Sequence, residues 1–234
     1  MTAQGGLRYV YAVCRPFAAA LQAQLTGVAG VPPGLLRHHG LVAVVSTVPE
    51  GDFAEEPLRD HLADPDWLAA TARAHQGVID ALTTVTTPLP LRPATVFPDD
   101  SGVRIMMEAR EADFLRTLDR LEGRVEWGVR LYADPPGPEA KRRAAEEFAH
   151  DLHERLSARA EDSRLRPPRS ATLSEAPGPG LLDAAYLVPR ADSEAFVELV
   201  DRTRDQAPGI RVELTGPWAA YSFTEQGAGA AGPR

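Results

Sequence analysis

Apolar and polar positions change period several times along the chain, and each change marks an element. Arg8-Tyr-Val-Tyr-Ala-Val13 is a short β-branched and aromatic run of the kind that fills a sheet, and Leu41–Val48, stopped by Pro49, is a second. Between them, Phe17–Leu25 reads as a short helix and His38-His39-Gly40 as the turn into the second strand. A longer helix opens at Asp64-Pro65-Asp66: an aspartate can cap the free amides, proline suits the first helical position, and the second acid meets the positive end of the dipole. Leu68, Ala72, His75, Ile79 and Leu82 then recur at spacings of four and three, which predicts one buried face.

Pro88–Pro98 is too rich in proline for a helix or a central strand, so it is expected to be extended, at an edge, or turning. Phe114, Leu115, Leu118 and Leu121 form the apolar face of a further helix, and Gly123 stands where a left-handed cap would stop it. Next, Val125, Trp127, Val129 and Leu131 alternate with Glu126, Gly128, Arg130 and Tyr132, the signature of a half-buried strand. Pro135-Pro-Gly-Pro138 leads into a helix from Glu139 to near Arg159, whose narrow stripe of Ala145, Phe148, Leu152 and Leu156 suits one side of a sheet.

Arg164–Gly180, dense in proline, glycine and serine, reads as a loop. Leu181–Val188 is a strand, and Asp192 caps a helix with Phe196, Leu199, Val200 and Thr203 on one face. Ile210–Leu214 and Ala219–Phe223 read as closing strands, with a disordered tail from Glu225. The order strand, helix, loop, strand, helix, strand, strand predicts a ferredoxin-like unit, helices covering one face of an antiparallel sheet. The expected fold is therefore α+β in two domains: a less regular N-terminal unit over 1–123, and a ferredoxin-like unit over 124–224 with a flexible 160–180 loop. Residues 225–234 form the tail.

Composition supports this picture and narrows the chemistry. With 234 residues, 44% of them apolar, the chain can build two ordinary cores, yet no apolar run approaches the roughly 20 residues of a membrane helix. Met1–Gly6 lacks the basic start and apolar stretch of a signal peptide, so a cytoplasmic location is expected. A single cysteine, Cys14, excludes an internal disulfide and a multi-cysteine zinc site. The net charge of −8 disfavours binding to a phosphate backbone, so no nucleic-acid partner is expected.

Candidate chemistry is sparse. Glu147-Phe-Ala-His150 has the Glu-x-x-His spacing of helical di-iron proteins but lacks the second copy such a site needs. His38 and His39, adjacent in a turn, would diverge rather than share a metal. His75, on an apolar helix face, reads as a core histidine with one hydrogen-bond partner rather than as a catalytic base. No nucleophile elbow and no phosphate-cradling glycine loop is present. Neither catalytic residues, a metal nor a cofactor is expected.

Five stretches, taken in order, carry a resemblance. They are Arg8-Tyr-Val-Tyr-Ala-Val13; Asp66-Trp-Leu through Ala72-Arg-Ala-His75; Leu89-Pro-Leu-Arg92 with Thr95-Val-Phe97; Val125-Glu-Trp-Gly-Val-Arg130; and Leu214-Thr-Gly-Pro-Trp218 with Tyr221-Ser-Phe223. In this combination the chain resembles the gas vesicle protein F/L family, accessory proteins of gas-filled protein shells. It departs from the family pattern at Pro93-Ala94, where Phe-Gly is typical, and at Ala219-Ala220, where Pro-Pro is typical.

The resemblance implies a non-enzymatic assembly protein that binds the main hydrophobic shell subunit and assists nucleation or growth of the vesicle, with other accessory proteins as further partners. It implies a place in the cytoplasm and at the vesicle, as a minor or surface-associated component. Trp218, Tyr221 and Phe223, aromatics close to the chain end, are the candidate contacts with the shell subunit, and core closure is the competing explanation for the same residues. Arg92, in the proline-rich segment, is the fourth candidate. The alternatives are a cofactor-free enzyme using Arg92, His75 or Glu126, and a small-molecule sensor on a ferredoxin-like sheet.

Overall fold

The computed structural model describes residues 6–18, 25–133, 139–166, 180–204, 206 and 209–224. Backbone contacts divide the chain into two compact units, one built on Met1–Glu122 and one on Gly123–Phe223.

In the first unit, β1 (Leu7–Cys14) lies inside a sheet of order β2-β3-β1-β4, with β2 at Gly34–His38, β3 at Leu41–Val48 and β4 at Leu89–Pro90. A short β5 (Val96–Phe97) also pairs with β1. The unbroken burial of Tyr9–Cys14 explains why this run lacks polar alternation: both of its faces are covered. His39 and Gly40 form the turn between β2 and β3, both with positive φ (45° and 75°), as two-residue hairpins require. The sequence pattern marks this turn, while β2 itself is too short to show a period. Cys14 is fully buried, and burial pushes its thiol up to about 12.

Helices α1 (Glu50–Phe53) and α2 (Glu55–Leu62) lead into α3 (Pro65–Thr83). The Asp64 carboxylate caps α3 by accepting from the amides of Asp66 (2.9 Å) and Trp67 (3.4 Å). The buried face is Thr71, His75, Val78, Ile79 and Leu82, while Leu68 and Ala72 are exposed. The expected stripe was right at His75, Ile79 and Leu82 but one position off earlier. One residue on a helix is a rotation of about 100°, enough to exchange a buried side chain for an exposed one.

A helix missed in the sequence reading, α4 (Asp100–Ala109), is capped by Asp99, which accepts from the Gly102 amide at 2.8 Å. Its Val103 and Met107 join Phe114 and Leu118 of α5 (Glu111–Leu121) over Val10, Val13, Leu36 and Leu41 of the sheet. Gly123 follows with φ +71°, the left-handed stop expected there.

The second unit runs β6 (Arg124–Ala133), α6 (Glu139–Ser157), β7 (Asp162–Leu165), β8 (Gly180–Pro189), α7 (Ser193–Arg204) and β9 (Ile210–Trp218). Its sheet order is β7-β8-β6-β9 with every pair antiparallel, the ferredoxin-like arrangement. Val125, Trp127, Val129 and Leu131 face the helices, packing with Leu152 and Leu156 of α6 and with Phe196 and Val200 of α7.

Three expectations change here. The segment read as a loop from Arg164 to Gly180 begins and ends in strands: Arg164 and Leu165 pair with Ala185 and Ala184, and Gly180 opens β8. Residues 167–179 lie outside the described residues, as do the expected tail from Glu225 and residues 19–24 of the expected first helix. The expected last strand, Ala219–Phe223, is a short 3-10 turn at Tyr221–Phe223 instead. The carbonyls of Ala219 and Ala220 accept from the amides of Tyr221 (2.8 Å) and Phe223 (3.1 Å), which closes the chain on itself. Finally, β6 is more than half-buried, because Glu126 and Gly128 on its second face are buried as well.

Candidate functional site

Two of the distinctive sequence stretches turn out to be halves of one joint. Glu126-Trp127-Gly128 on β6 lies against Thr215-Gly216-Pro217-Trp218 on β9, with Glu126 opposite Trp218 and Gly128 opposite Thr215. The register shifts between these pairs, so β9 carries an extra residue there, a bulge. The glycines make the approach possible. A Cβ at Gly128 would stand 2.6 Å from Thr215 Oγ1, and one at Gly216, whose φ is +125°, would stand 2.8 Å from the Glu126 carbonyl oxygen and 3.0 Å from the Trp127 ring. The Gly216–Pro217 peptide is cis.

At the centre of this joint sits a carboxylate that water barely reaches. Glu126 is 3% exposed. The Ser222 amide donates to its Oε2 at 2.8 Å, the Ser222 hydroxyl donates to Oε1 at 2.8 Å, and Arg166 Nη2 pairs with Oε1. The same Arg166 Nη2 donates to Ser222 Oγ at 2.7 Å, so the three side chains form a closed ring of contacts. Burial pushes the Glu126 carboxyl above the ordinary carboxylate range, while Ser222 and Arg166 pull against it without cancelling it. Arg166 also faces Asp183 (3.7 Å), which meets Arg130 at 3.4 Å, so charges alternate across this face of the sheet. Left without its donors, a buried carboxylate costs several kcal/mol, on the order of 3–5.

The four residues singled out from sequence separate. Arg92 is exposed in the first unit, and its carbonyl accepts from the Thr95 amide (3.3 Å) and hydroxyl (2.6 Å). Trp218 ends β9 with 39% of its surface exposed. Tyr221 is half-buried. Phe223 is fully buried, with the Arg164 guanidinium 5.4 Å from its ring centre, so it closes the fold and cannot meet a partner in this conformation. Glu126, Arg166 and Ser222 were not singled out together, because strict alternation placed Glu126 on a solvent face. Gly128, two residues on along that face, is the signal of close approach that could have corrected it.

His75, a candidate base in one alternative reading, belongs to a separate buried network. Tyr9 Oη lies 3.0 Å from His75 Nδ1 and accepts from the Ala94 amide at 3.0 Å. Tyr11 donates to Ser46 Oγ at 2.9 Å and accepts from the Val28 amide at 2.8 Å. Burial pulls His75 down to about 4, so the imidazole is neutral at physiological pH and serves as a packed, hydrogen-bonded core residue.

Residues 7–141 and 137–225 match the family described as gas vesicle synthesis protein GvpL/GvpF. The chain belongs to this family. It is 49% identical to gas vesicle protein L of Streptomyces sp. (strain CB03234), over 93% of this chain and 92% of that protein. Against gas vesicle protein F of the same strain the identity is 28%, over 93% of this chain and 99% of the other. The GvpF crystal structure from Anabaena sp. PCC7120 superposes with a TM-score of 0.74 at 16% identity, covering 94% of this chain and 96% of that one. That from Microcystis aeruginosa gives 0.71 at 18% identity, covering 94% and 99%. These two structures share the fold; membership of the GvpL/GvpF family rests on the sequence matches and ties the chain to gas vesicles. Among the described residues no helix is long and apolar enough to cross a membrane.

Proposed function

We propose that this chain is a non-enzymatic assembly factor that binds the main hydrophobic shell subunit of the gas vesicle and assists nucleation or growth of the shell. The observation that carries the reading is the family match across both units, and the exposed Trp218 at the end of an edge strand supplies a surface for it. An apolar subunit exposed before assembly aggregates unless its strands and apolar surface are covered. Among the described residues β9 pairs with a neighbour, β6, along one side, so its other backbone edge can accept a strand from the shell subunit. Trp218 then packs against the added strand, as aromatic anchors do at interfaces. Tyr221, half-buried, follows in the next turn, and Arg92, exposed in the first unit, is a separate charged candidate.

The test is co-expression with the shell subunit. The subunit is expected to remain in the supernatant and to co-purify with this chain. Two well-expressed partners that never associate would remove the reading. Trp218→Ala is expected to lower the captured fraction about tenfold with the fold intact, as loss of an exposed aromatic anchor does; unchanged capture would move the contact elsewhere.

A further inference from the structure

The carboxylate of Glu126 is not needed to fill the sheet. Its neighbours on β8, Ala185 and Leu187, are apolar and buried, and a side chain of that kind at position 126 would sit there without a desolvation cost. What the carboxylate adds is direction. All three of its donor contacts come from outside the strands: the Ser222 amide and hydroxyl, and the guanidinium of Arg166 just beyond β7. A buried charge that demands particular donors selects one placement of the segment that brings them.

That placement is transmitted to Trp218 with little slack. Trp218 is the cross-strand partner of Glu126 and lies four residues before Ser222. The intervening Ala219 and Ala220 are 4% and 3% exposed, and their carbonyls close the 3-10 turn that carries Ser222. Gly216, on the other side of Trp218, rests against the Glu126 carbonyl and the Trp127 ring. The indole is thus held between two points that both refer back to residues 126 and 127.

We propose that Glu126 is a positioning residue for the shell-binding surface: through Ser222 and Arg166 it holds the turn after β9 in the arrangement that presents Trp218 outward. This inference rests on the proposed role of Trp218 in capturing the shell subunit. It differs from core closure by Phe223, which would hold the same turn by apolar burial with no need of a charge.

The experiment compares the full-length chain with Glu126→Gln, Ser222→Ala, Ser222→Thr and Trp218→Ala, reading amide hydrogen exchange and capture of the co-expressed shell subunit. In Glu126→Gln, amides of 219–224 are expected to exchange at least about tenfold faster while those of α6 and β8 keep their protection, and capture falls about tenfold. Ser222→Ala shows the same pattern more weakly, and Ser222→Thr, which keeps amide and hydroxyl, restores it. Trp218→Ala loses capture without faster exchange. Unchanged protection of 219–224 in both Glu126→Gln and Ser222→Ala overturns the proposal, as does a loosened turn with full capture when Trp218→Ala abolishes capture. Full capture by Trp218→Ala rejects the surface reading instead, and exchange then decides alone whether Glu126 holds the turn. If Glu126→Gln does not fold, the Ser222 pair carries the comparison.

Discussion

Each unit buries a polar network, and the two are built from different chemistry. In the first, phenols, an imidazole and a hydroxyl link β1, β3 and α3 through Tyr9, His75, Tyr11 and Ser46, all neutral at physiological pH. In the second, a carboxylate and a guanidinium tie the turn after β9 to the sheet through Glu126, Arg166 and Ser222. A neutral network joins elements already held by apolar packing and refines their registry. A charged one commits a peripheral segment to one position, because each ion tolerates few alternative partners.

Acid separates the two networks most strongly. His75 has its folded value lowered from 6.5 to about 4, so below pH 6.5 the unfolded chain takes up a proton that the folded chain refuses. Stability is full above pH 6.5 and is expected to fall by roughly 3 kcal/mol by pH 4, measured by urea unfolding as a function of pH; His75→Gln should flatten that limb. Glu126 works with the opposite sign. Its folded value is raised, so its contribution grows as pH falls, and Glu126→Gln should make the acid loss steeper, not shallower.

Gly216→Ala attacks the second unit at its joint, adding both a close contact and a left-handed backbone penalty, and is expected to cost about 2–3 kcal/mol. Gly40→Ala, equally left-handed but with nothing within 4 Å, should cost only about 1 kcal/mol in the same thermal melts. Equal losses would show that crowding at Gly216 contributes nothing.

Tyr9→Phe tests the neutral network. It removes the acceptor of the Ala94 amide and the partner of His75 Nδ1, for an expected loss of about 1–2 kcal/mol in denaturant titrations. The smallest effect runs the other way. Ala94 holds a left-handed φ of +64° where the family pattern has glycine, so Ala94→Gly should stabilise by about 0.5 kcal/mol, the strain relieved less the entropy glycine adds to the unfolded chain.

The second unit was largely legible in the sequence because its strands and helices are long enough to display a period. The first was less so: β2 is a brief run behind two prolines, and in α4 the buried Val103 and Met107 are blurred by Ile105 and Met106 between them, so no clear stripe stands out, although Asp99 is a cap. Side-chain alternation located Trp127 and Val129 in the core but could not tell that the opposite face of β6 was also covered, so nothing in the pattern tied Glu126, a pocket candidate only in the enzyme alternative, to Arg166 and Ser222. The closing stretch carried identity in its order of residues, whereas its aromatics divide by burial, Trp218 outward and Phe223 inward, which spacing alone does not reveal.

Cys14 gives the molecule a built-in reporter. Its thiol lies at the end of β1, fully buried and with little thiolate at neutral pH, so alkylating reagents should reach it only when the first sheet opens. The rate of labelling then clocks unfolding of that unit in an unmodified chain. A cysteine introduced at an exposed position away from the proposed contacts, such as Glu56, would react selectively beside it, so a fluorophore could be attached there while the native thiol stays silent.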